Sequence, residues 1–248
     1  MADPSSPRTR NRFLVIVPAF NERASIGELV RHLRRRLPEF DVLVIDDGST
    51  DGTKHCITDN AYVVTLPFNL GIGGAMQTGY RYAHIHGYEL AVQVDGDGQH
   101  PPREVRKLVD HLNRSGADMV IGSRFVAGGR YRQSPLRWIG IAFLSRMIGI
   151  LAGRRIYDCT SGFRVANRRI INAFAHWYPD DYPEPEVVLL LQRGGFRLEE
   201  VSVTMRQRRG GRTSIGLFAG VFYVIKVATC LMLDMVRNPW PAEQEAAK

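Results

Sequence analysis

Cysteine is scarce: the 248 residues hold three, Cys56, Cys159 and Cys230, scattered without metal-ligand spacing. An odd, dispersed set argues against a disulfide framework and fits a reducing, cytosolic setting. No G-x-x-x-x-G-K-[ST] loop occurs, which argues against a P-loop nucleotide hydrolase. No interleaving of aromatic and basic residues on strands supports RNA binding. The first dozen residues are rich in Pro, Ser and Arg and lack an apolar centre. Residues 1–12 are therefore read as a disordered lead and not as a secretory signal peptide. Long apolar runs are also rare.

What is present is ordinary for a globular α/β domain: 44% hydrophobic and 23% charged residues, on a length that buries a sizeable core. Thirty-three Lys and Arg against 25 Asp and Glu leave +8, so anionic partners are expected. Nucleic acid, an acidic membrane surface and phosphorylated substrates all satisfy that charge.

Continuous apolar runs at Phe13–Val17, Asp41–Ile45, Tyr62–Leu66, Leu90–Val94 and Asp118–Gly122 read as buried strands. Between the first two, Ile26, Leu29, Val30, Leu33 and Leu37 recur at helical spacing, with Asn21 and Ser25 as candidate caps. This rhythm predicts an α/β fold with a mostly parallel sheet. Ligands of such sheets bind beyond the carboxyl ends of the strands. The unusual polar clusters sit there: Ala19–Glu22, Asp46-Asp47 and Asp95–Gln99.

In Val92-Gln93-Val94-Asp95-Gly96-Asp97-Gly98-Gln99 an apolar strand stops at two carboxylates. Residues i, i+2 and i+4 of an extended segment share a face, so Asp95, Asp97 and Gln99 can converge as hard oxygen donors for Mg²⁺ or Mn²⁺. A surface turn is the competing reading. Asp46-Asp47-Gly48-Ser49 can accept from a nucleobase or a ribose, or cap a turn. Asn69-Leu70-Gly71-Ile72-Gly73-Gly74 resembles a phosphate-cradling loop but is not the dinucleotide fingerprint.

Two helical stretches stand apart. Ile215–Leu233 carries one charge, Lys226, in 19 residues. A span needs about 20 apolar residues, and a central lysine costs on the order of 3 kcal/mol there. An interfacial or membrane-embedded helix and a buried core helix are both open. Leu136–Leu151 mixes Trp138, Ile139, Phe143, Met147 and Ile150 with Arg137 and Arg146, a basic amphipathic pattern suited to anionic lipid or to covering the site.

Taken together, Val15–Glu22, Val44–Thr53 and Asp95-Gly96-Asp97 resemble glycosyltransferase family 2 in order and spacing. Val120–Phe125 and Asp158-Cys159-Thr160-Ser161-Gly162-Phe163-Arg164 narrow the resemblance to its polyprenyl-phosphate sugar transferases, the dolichol-phosphate mannose synthase-like branch. The likeness runs from about Phe13 to Ile215. It implies a GT-A fold over residues 13–213, an apolar membrane-interacting helix over 214–237 and a polar tail over 238–248.

The resemblance also implies roles. Pro18, Phe20, Glu22, Asp46 and Asp47 would hold the nucleoside, with Asn69 and Gly73 in the loop beside it. Asp95 would serve nucleotide and metal, and Asp97 and Gln99 the metal that bridges the donor diphosphate. Arg124, Arg137 and Arg164 would grip an acceptor phosphate. Ser161, Glu184 and Glu186 would shape the donor and acceptor pockets, and Arg206, Arg208, Arg209 and Arg212 form a basic loop that would close over the phosphates or attract headgroups. Tyr182-Pro183-Glu184-Pro185-Glu186 resembles bacterial envelope-polysaccharide enzymes, which favours a UDP-N-acetylhexosamine over GDP-mannose.

The expected activity is inverting, metal-dependent transfer of a hexose or N-acetylhexosamine from a nucleotide sugar to a polyprenyl phosphate. It would take place on the cytoplasmic membrane face, with a small integral-membrane partner and no nucleic acid. One alternative is a soluble family 2 transferase acting on a saccharide hydroxyl, which would need a carboxylate base. A basic protein binding anionic lipid or nucleic acid is the other.

Overall fold

The computed structural model describes residues 12–57, 61–96, 98–126, 135–205 and 217–236, with the side chains of 135–137 and 217–219 left aside. Its centre is a seven-stranded sheet in the order β3-β2-β1-β4-β6-β5-β7. The strands are β1 (Phe13–Ala19), β2 (Phe40–Asp46), β3 (Tyr62–Thr65), β4 (Leu90–Gln93), β5 (Met119–Ser123), β6 (Arg164–Asn167) and β7 (Leu198–Ser202). The five expected strands are present. β6 and β7 are additions, both too short and too polar at their ends to stand out as apolar runs.

All pairings are parallel except those of β6, which runs against both β4 and β5. Chain reversal at β6 brings the segment that precedes it, 158–163, to the edge where β1, β2 and β4 end. That edge therefore collects residues from both kinds of strand.

Alternation along β1 divides the core. Val15 and Val17 face α1 (Ile26–Arg36) and α3 (Pro102–Ser115). Leu14 and Ile16 face the layer containing α2 (Gly71–Ile85), α4 (Pro135–Ala152), α5 (Arg168–His176), α6 (Pro183–Arg193) and α7 (Leu217–Asp234). Both faces are covered, so the central strands β1, β2, β4 and β5 are almost entirely buried. Helix α1 begins differently from expectation. Ser25 Oγ donates to the backbone oxygen and the carboxylate of Glu22, and Asn21 Oδ1 accepts from Thr50 N–H, so neither caps the helix.

Helix α7 packs against α4 and α6, burying Val227 and Leu231. Its other face, with Phe222, Ile225 and Leu233, is exposed. Among the described residues no helix is long and apolar enough to cross a membrane. Over the described part of 215–233 the chain forms a helix packed on one face only. Most large exposed apolar side chains among the described residues lie on α4 and α7.

Candidate active site

The site is assembled by interlocked loops at the carboxyl edge of the sheet. The turn after β1 is tied to the loop after β2: Asn21 N–H donates to Ser49 Oγ at 3.0 Å, Glu22 N–H to Thr53 Oγ1 at 2.9 Å and Arg23 N–H to Asp51 Oδ2 at 3.1 Å. Asn21 takes φ of 55°, a left-handed conformation that asparagine tolerates. The Pro18 carbonyl and the Glu22 side chain both come against Gly96, and Phe20 between them in sequence is exposed. Exposed Phe68 and Leu70 belong to the segment tied to the loop after β2. Composition offered no signal for Phe68.

Asp46 and Asp47 end β2, both nearly fully buried. Asp46 Oδ1 accepts from Ser49 N–H at 3.2 Å. The Asp47 carboxylate accepts from Leu70 N–H at 2.8 Å and Gly71 N–H at 2.9 Å. The anion held by the glycine-rich loop is thus the protein's own. Asn69 and Gly73, expected beside the nucleotide, flank the two N–H groups that Asp47 takes. Asn69 Oδ1 also takes Gly71 N–H, and a Cβ on Gly73 would collide with the backbone oxygens of Pro179 and Asp180. Asp47 neutralises the start of α2 and ties that loop to the end of β2.

Asp95 follows β4 with its carboxylate partly exposed. Two glycines bring neighbours onto it. A Cβ on Gly96 would stand 3.0 Å from the Pro18 carbonyl, so this turn lies flat on the end of β1. A Cβ on Gly162 would stand 3.1 Å from Asp95 Oδ1 and 2.9 Å from Gln93 Nε2. Only glycine lets the segment before β6 approach so closely. Gln99 is partly exposed a few residues along. Asp97 lies outside the described residues, and among those described no three His, Cys, Asp or Glu side chains gather for a metal. The donor set nevertheless suits a hard cation: an accessible carboxylate and an amide oxygen on one loop, with Gly162 leaving room at the carboxylate.

The arginines are engaged internally. Arg124, at the end of β5, donates from Nε and Nη2 to the two oxygens of Asp158 at 2.8 and 2.7 Å. Its backbone N–H adds a third bond at 2.9 Å, and Nη2 reaches Thr160 Oγ1 at 3.0 Å. Arg164 is fully buried and donates to the backbone oxygens of Ser161, Cys159 and Glu184. Both side chains brace the segment that faces Asp95, in place of the phosphate-gripping position expected of them. Ser161 is likewise used, its hydroxyl donating to Gly122 O at 2.7 Å. Glu200 accepts from the N–H groups of Tyr157 and Asp158, holding the segment from its far side.

Glu184 begins α6 beside this assembly. Burial pushes its carboxyl above the ordinary range, the Arg164 charge opposes that, and the Asp95 charge adds to it. Glu186 points elsewhere. It is buried where α6 meets α7, accepts from Tyr182 N–H, and is pushed up to about 7 by burial and by Asp234. It is therefore corrected from a pocket residue to a residue of the helix interface. Arg137 lies in α4 with its side chain outside the described residues, as are Arg206, Arg208, Arg209 and Arg212 entirely.

An α/β sheet whose strand ends gather two buried aspartates, an accessible carboxylate loop and a braced facing segment has the architecture of the GT-A type. The chain belongs to glycosyl transferase family 2, whose model matches residues 14–174. It is a glycosyltransferase. It is 32% identical over 220 residues to the polyprenol monophosphomannose synthase of Mycolicibacterium smegmatis, covering 84% of this chain and 83% of that one. Over 218 residues it is 31% identical to the undecaprenyl-phosphate mannosyltransferase of Micrococcus luteus, covering 82% and 87%. Among solved structures it is similar to glucosyl-3-phosphoglycerate synthase from Mycobacterium tuberculosis in complex with Mn²⁺, UDP and phosphoglyceric acid. There the TM-score is 0.67 at 20% identity, over 90% of this chain and 78% of that one.

Proposed function

We propose that this enzyme transfers a hexose or N-acetylhexosamine from a nucleotide diphosphate sugar to a polyprenyl phosphate at a membrane surface. The observation that carries the lipid acceptor is the exposed apolar face of α4 and α7: Trp138, Phe143 and Ile150 on one helix, Phe222, Ile225 and Leu233 on the other. Clustered exposed apolar side chains of this kind mark a surface that meets a partner or a membrane. Arg146 and Lys226 are exposed among these residues, with Lys226 Nζ 4.7 Å from the Phe222 ring centre, as on a helix lying at anionic headgroups. The same helices flank the site, since Tyr223 of α7 meets the Tyr182 ring at the start of α6 at 5.4 Å. The names of the two lipid-phosphate relatives support the same acceptor.

In this reading Pro18, Phe20 and Glu22 seat the nucleoside, and Asp95, Asp97 and Gln99 would hold Mg²⁺ or Mn²⁺. When bound, the metal supplies charge to offset the departing diphosphate. An oxygen of the acceptor phosphate attacks the anomeric carbon as the bond to the diphosphate breaks, inverting that centre. A phosphate monoester is already anionic at neutral pH and needs no strong base. Arg124, Arg164 and Glu200 act by holding the segment from Asp158 to Phe163 rigidly against Asp95. Arg137 and the arginines at 206, 208 and 212 remain the acceptor-side cations of this reading. The reaction belongs on the cytoplasmic face, where nucleotide sugars are made, with room on the apolar face for a small integral-membrane partner.

The test is incubation with undecaprenyl phosphate in anionic vesicles, Mn²⁺ or Mg²⁺, and a panel of UDP- and GDP-sugars. A lipid-linked sugar is expected. No product with any donor would defeat the proposal. The panel also identifies the donor, for which the relatives' names favour mannose and the Tyr182–Glu186 segment a UDP-N-acetylhexosamine. One observation favours a saccharide hydroxyl as acceptor: the raised carboxyl of Glu184 is what a general base requires. Under that reading Glu184→Gln abolishes turnover; with a phosphate acceptor it does not.

A further inference from the structure

His100 stands outside every role described so far, yet it is the group most closely engaged with Asp95. Its ring is almost fully buried, stacked at 4.5 Å and 16° on Phe163 of the facing segment. Nδ1 accepts from Asp95 N–H at 3.1 Å. That bond places the ring proton on Nε2, which faces Asp95 Oδ2 at 3.7 Å. A residue that only filled this space would do as well as phenylalanine, because Phe163 offers it a flat apolar partner. Instead a buried ring keeps two polar atoms, each costly without a partner, and both address one residue. The chain leaves His100 directly into Pro101 and α3, so the ring is anchored from behind.

We propose that His100 is a positioning residue for the metal site: it fixes the Asp95 backbone through a hydrogen bond to Nδ1 and sets Nε2–H beside the Asp95 carboxylate, 3.7 Å from Oδ2, where its charge biases the carboxylate's orientation. The stack on Phe163 ties that orientation to the segment braced by Arg124 and Arg164. This rests on the reading of Asp95, Asp97 and Gln99 as metal ligands. Groups of this kind behind a ligand commonly change metal affinity 10- to 100-fold.

The experiment measures Mn²⁺ binding by electron paramagnetic resonance of the free ion, in saturating UDP, for the full chain and three variants. His100→Phe keeps the stack and removes both nitrogens. His100→Asn offers an oxygen to Asp95 N–H but nothing to Oδ2. Asp97→Asn tests the metal site itself. The expected result is an affinity about 10-fold or more weaker in His100→Phe, most of that loss retained in His100→Asn, with melting temperatures near that of the parent. UDP affinity measured without metal should be unchanged in both. A His100→Phe protein that melts like the parent and binds Mn²⁺ within twofold of it overturns the proposal. Should that variant not fold, ¹⁵N spectra of the parent imidazole decide. A ring protonated on Nε2 whose signal moves on adding Mg²⁺ and UDP supports it, while a proton on Nδ1, or an indifferent signal, overturns it. The two failures are distinguishable. If the parent binds no Mn²⁺, or Asp97→Asn binds as well as the parent, the metal reading falls and His100 with it. If Asp97→Asn releases the ion and His100→Phe does not, His100 alone is misassigned.

Discussion

Breaking the buried pair of Arg124 and Asp158 should cost stability before it costs acceptor binding. Asp158 is 0% and Arg124 6% exposed, and the carboxylate accepts three N–H bonds from that one arginine. Asp158→Asn leaves a buried guanidinium without its counter-charge, a loss of about 3–5 kcal/mol. Arg124→Met leaves a buried carboxylate with the backbone bond from residue 124 and the Thr160 hydroxyl but no counter-charge, at a similar cost of about 3–5 kcal/mol. The double variant Arg124→Met/Asp158→Asn removes both charges, so its loss should fall well short of the sum. A coupling of about 2–3 kcal/mol is expected from such a cycle. The assay is urea unfolding followed by tryptophan fluorescence, with an unchanged slope showing that the unfolding reaction is the same. For a domain stable by about 5–15 kcal/mol the effect is large. If both single variants unfold within about 1 kcal/mol of the parent while Arg124→Met sharply raises the KM for polyprenyl phosphate, Arg124 is a phosphate ligand and the bracing argument fails.

Glu186 gives a pH signature. Its folded pKa is raised to about 7 from 4.5, chiefly by burial and then by Asp234, so the stability it permits is full below 4.5 and is lost as pH rises through 7. The full linkage of about 3 kcal/mol is discounted to about 1–2 kcal/mol for solvent access, so Glu186→Gln should stabilise the protein by that much at pH 8 and flatten the slope in thermal melts. Gly162→Ala drives a methyl into Asp95 and Gln93, and kcat should fall about 10²-fold with little change in melting temperature. Phe222→Glu with Ile225→Glu should weaken sedimentation with anionic vesicles about 30-fold, because each change removes roughly 1 kcal/mol of apolar burial at the bilayer, leaving UDP affinity intact. Asp47→Asn weakens the acceptor for Leu70 and Gly71 N–H, and donor KM should rise several-fold in steady-state assays.

The parts of the fold legible in the sequence are those with a strong period. Strands β1 to β5 are continuous apolar runs because helices cover both sheet faces, and α1 shows one apolar stripe. β6 was not legible: its four residues begin with a buried arginine, and antiparallel insertion is decided by tertiary pairing. The candidate site was legible as clusters, since carboxylates at strand ends must face the crevice. Partner choice was not. Arg124, Arg164, Ser161 and Asp47 carry the residue types that bind phosphates or nucleosides, and burial redirects each to a protein group. Nothing in residue spacing distinguishes an arginine bound to a substrate phosphate from one bound to Asp158.

The reversed strand β6 also separates the site from the least regular parts of the chain. The separation between Gly162 and Asp95 is set by the ladder that pairs Gln93 with Arg164, two residues from each. The rest of the connection from β5 to β6, which includes α4, lies outside both that ladder and the Arg124–Asp158 brace. Insertions, deletions or lipid-adapted changes in that connection can therefore accumulate without altering the geometry at the carboxylate. One short run of backbone hydrogen bonds acts as a gauge block for the spacing at the Asp95 loop.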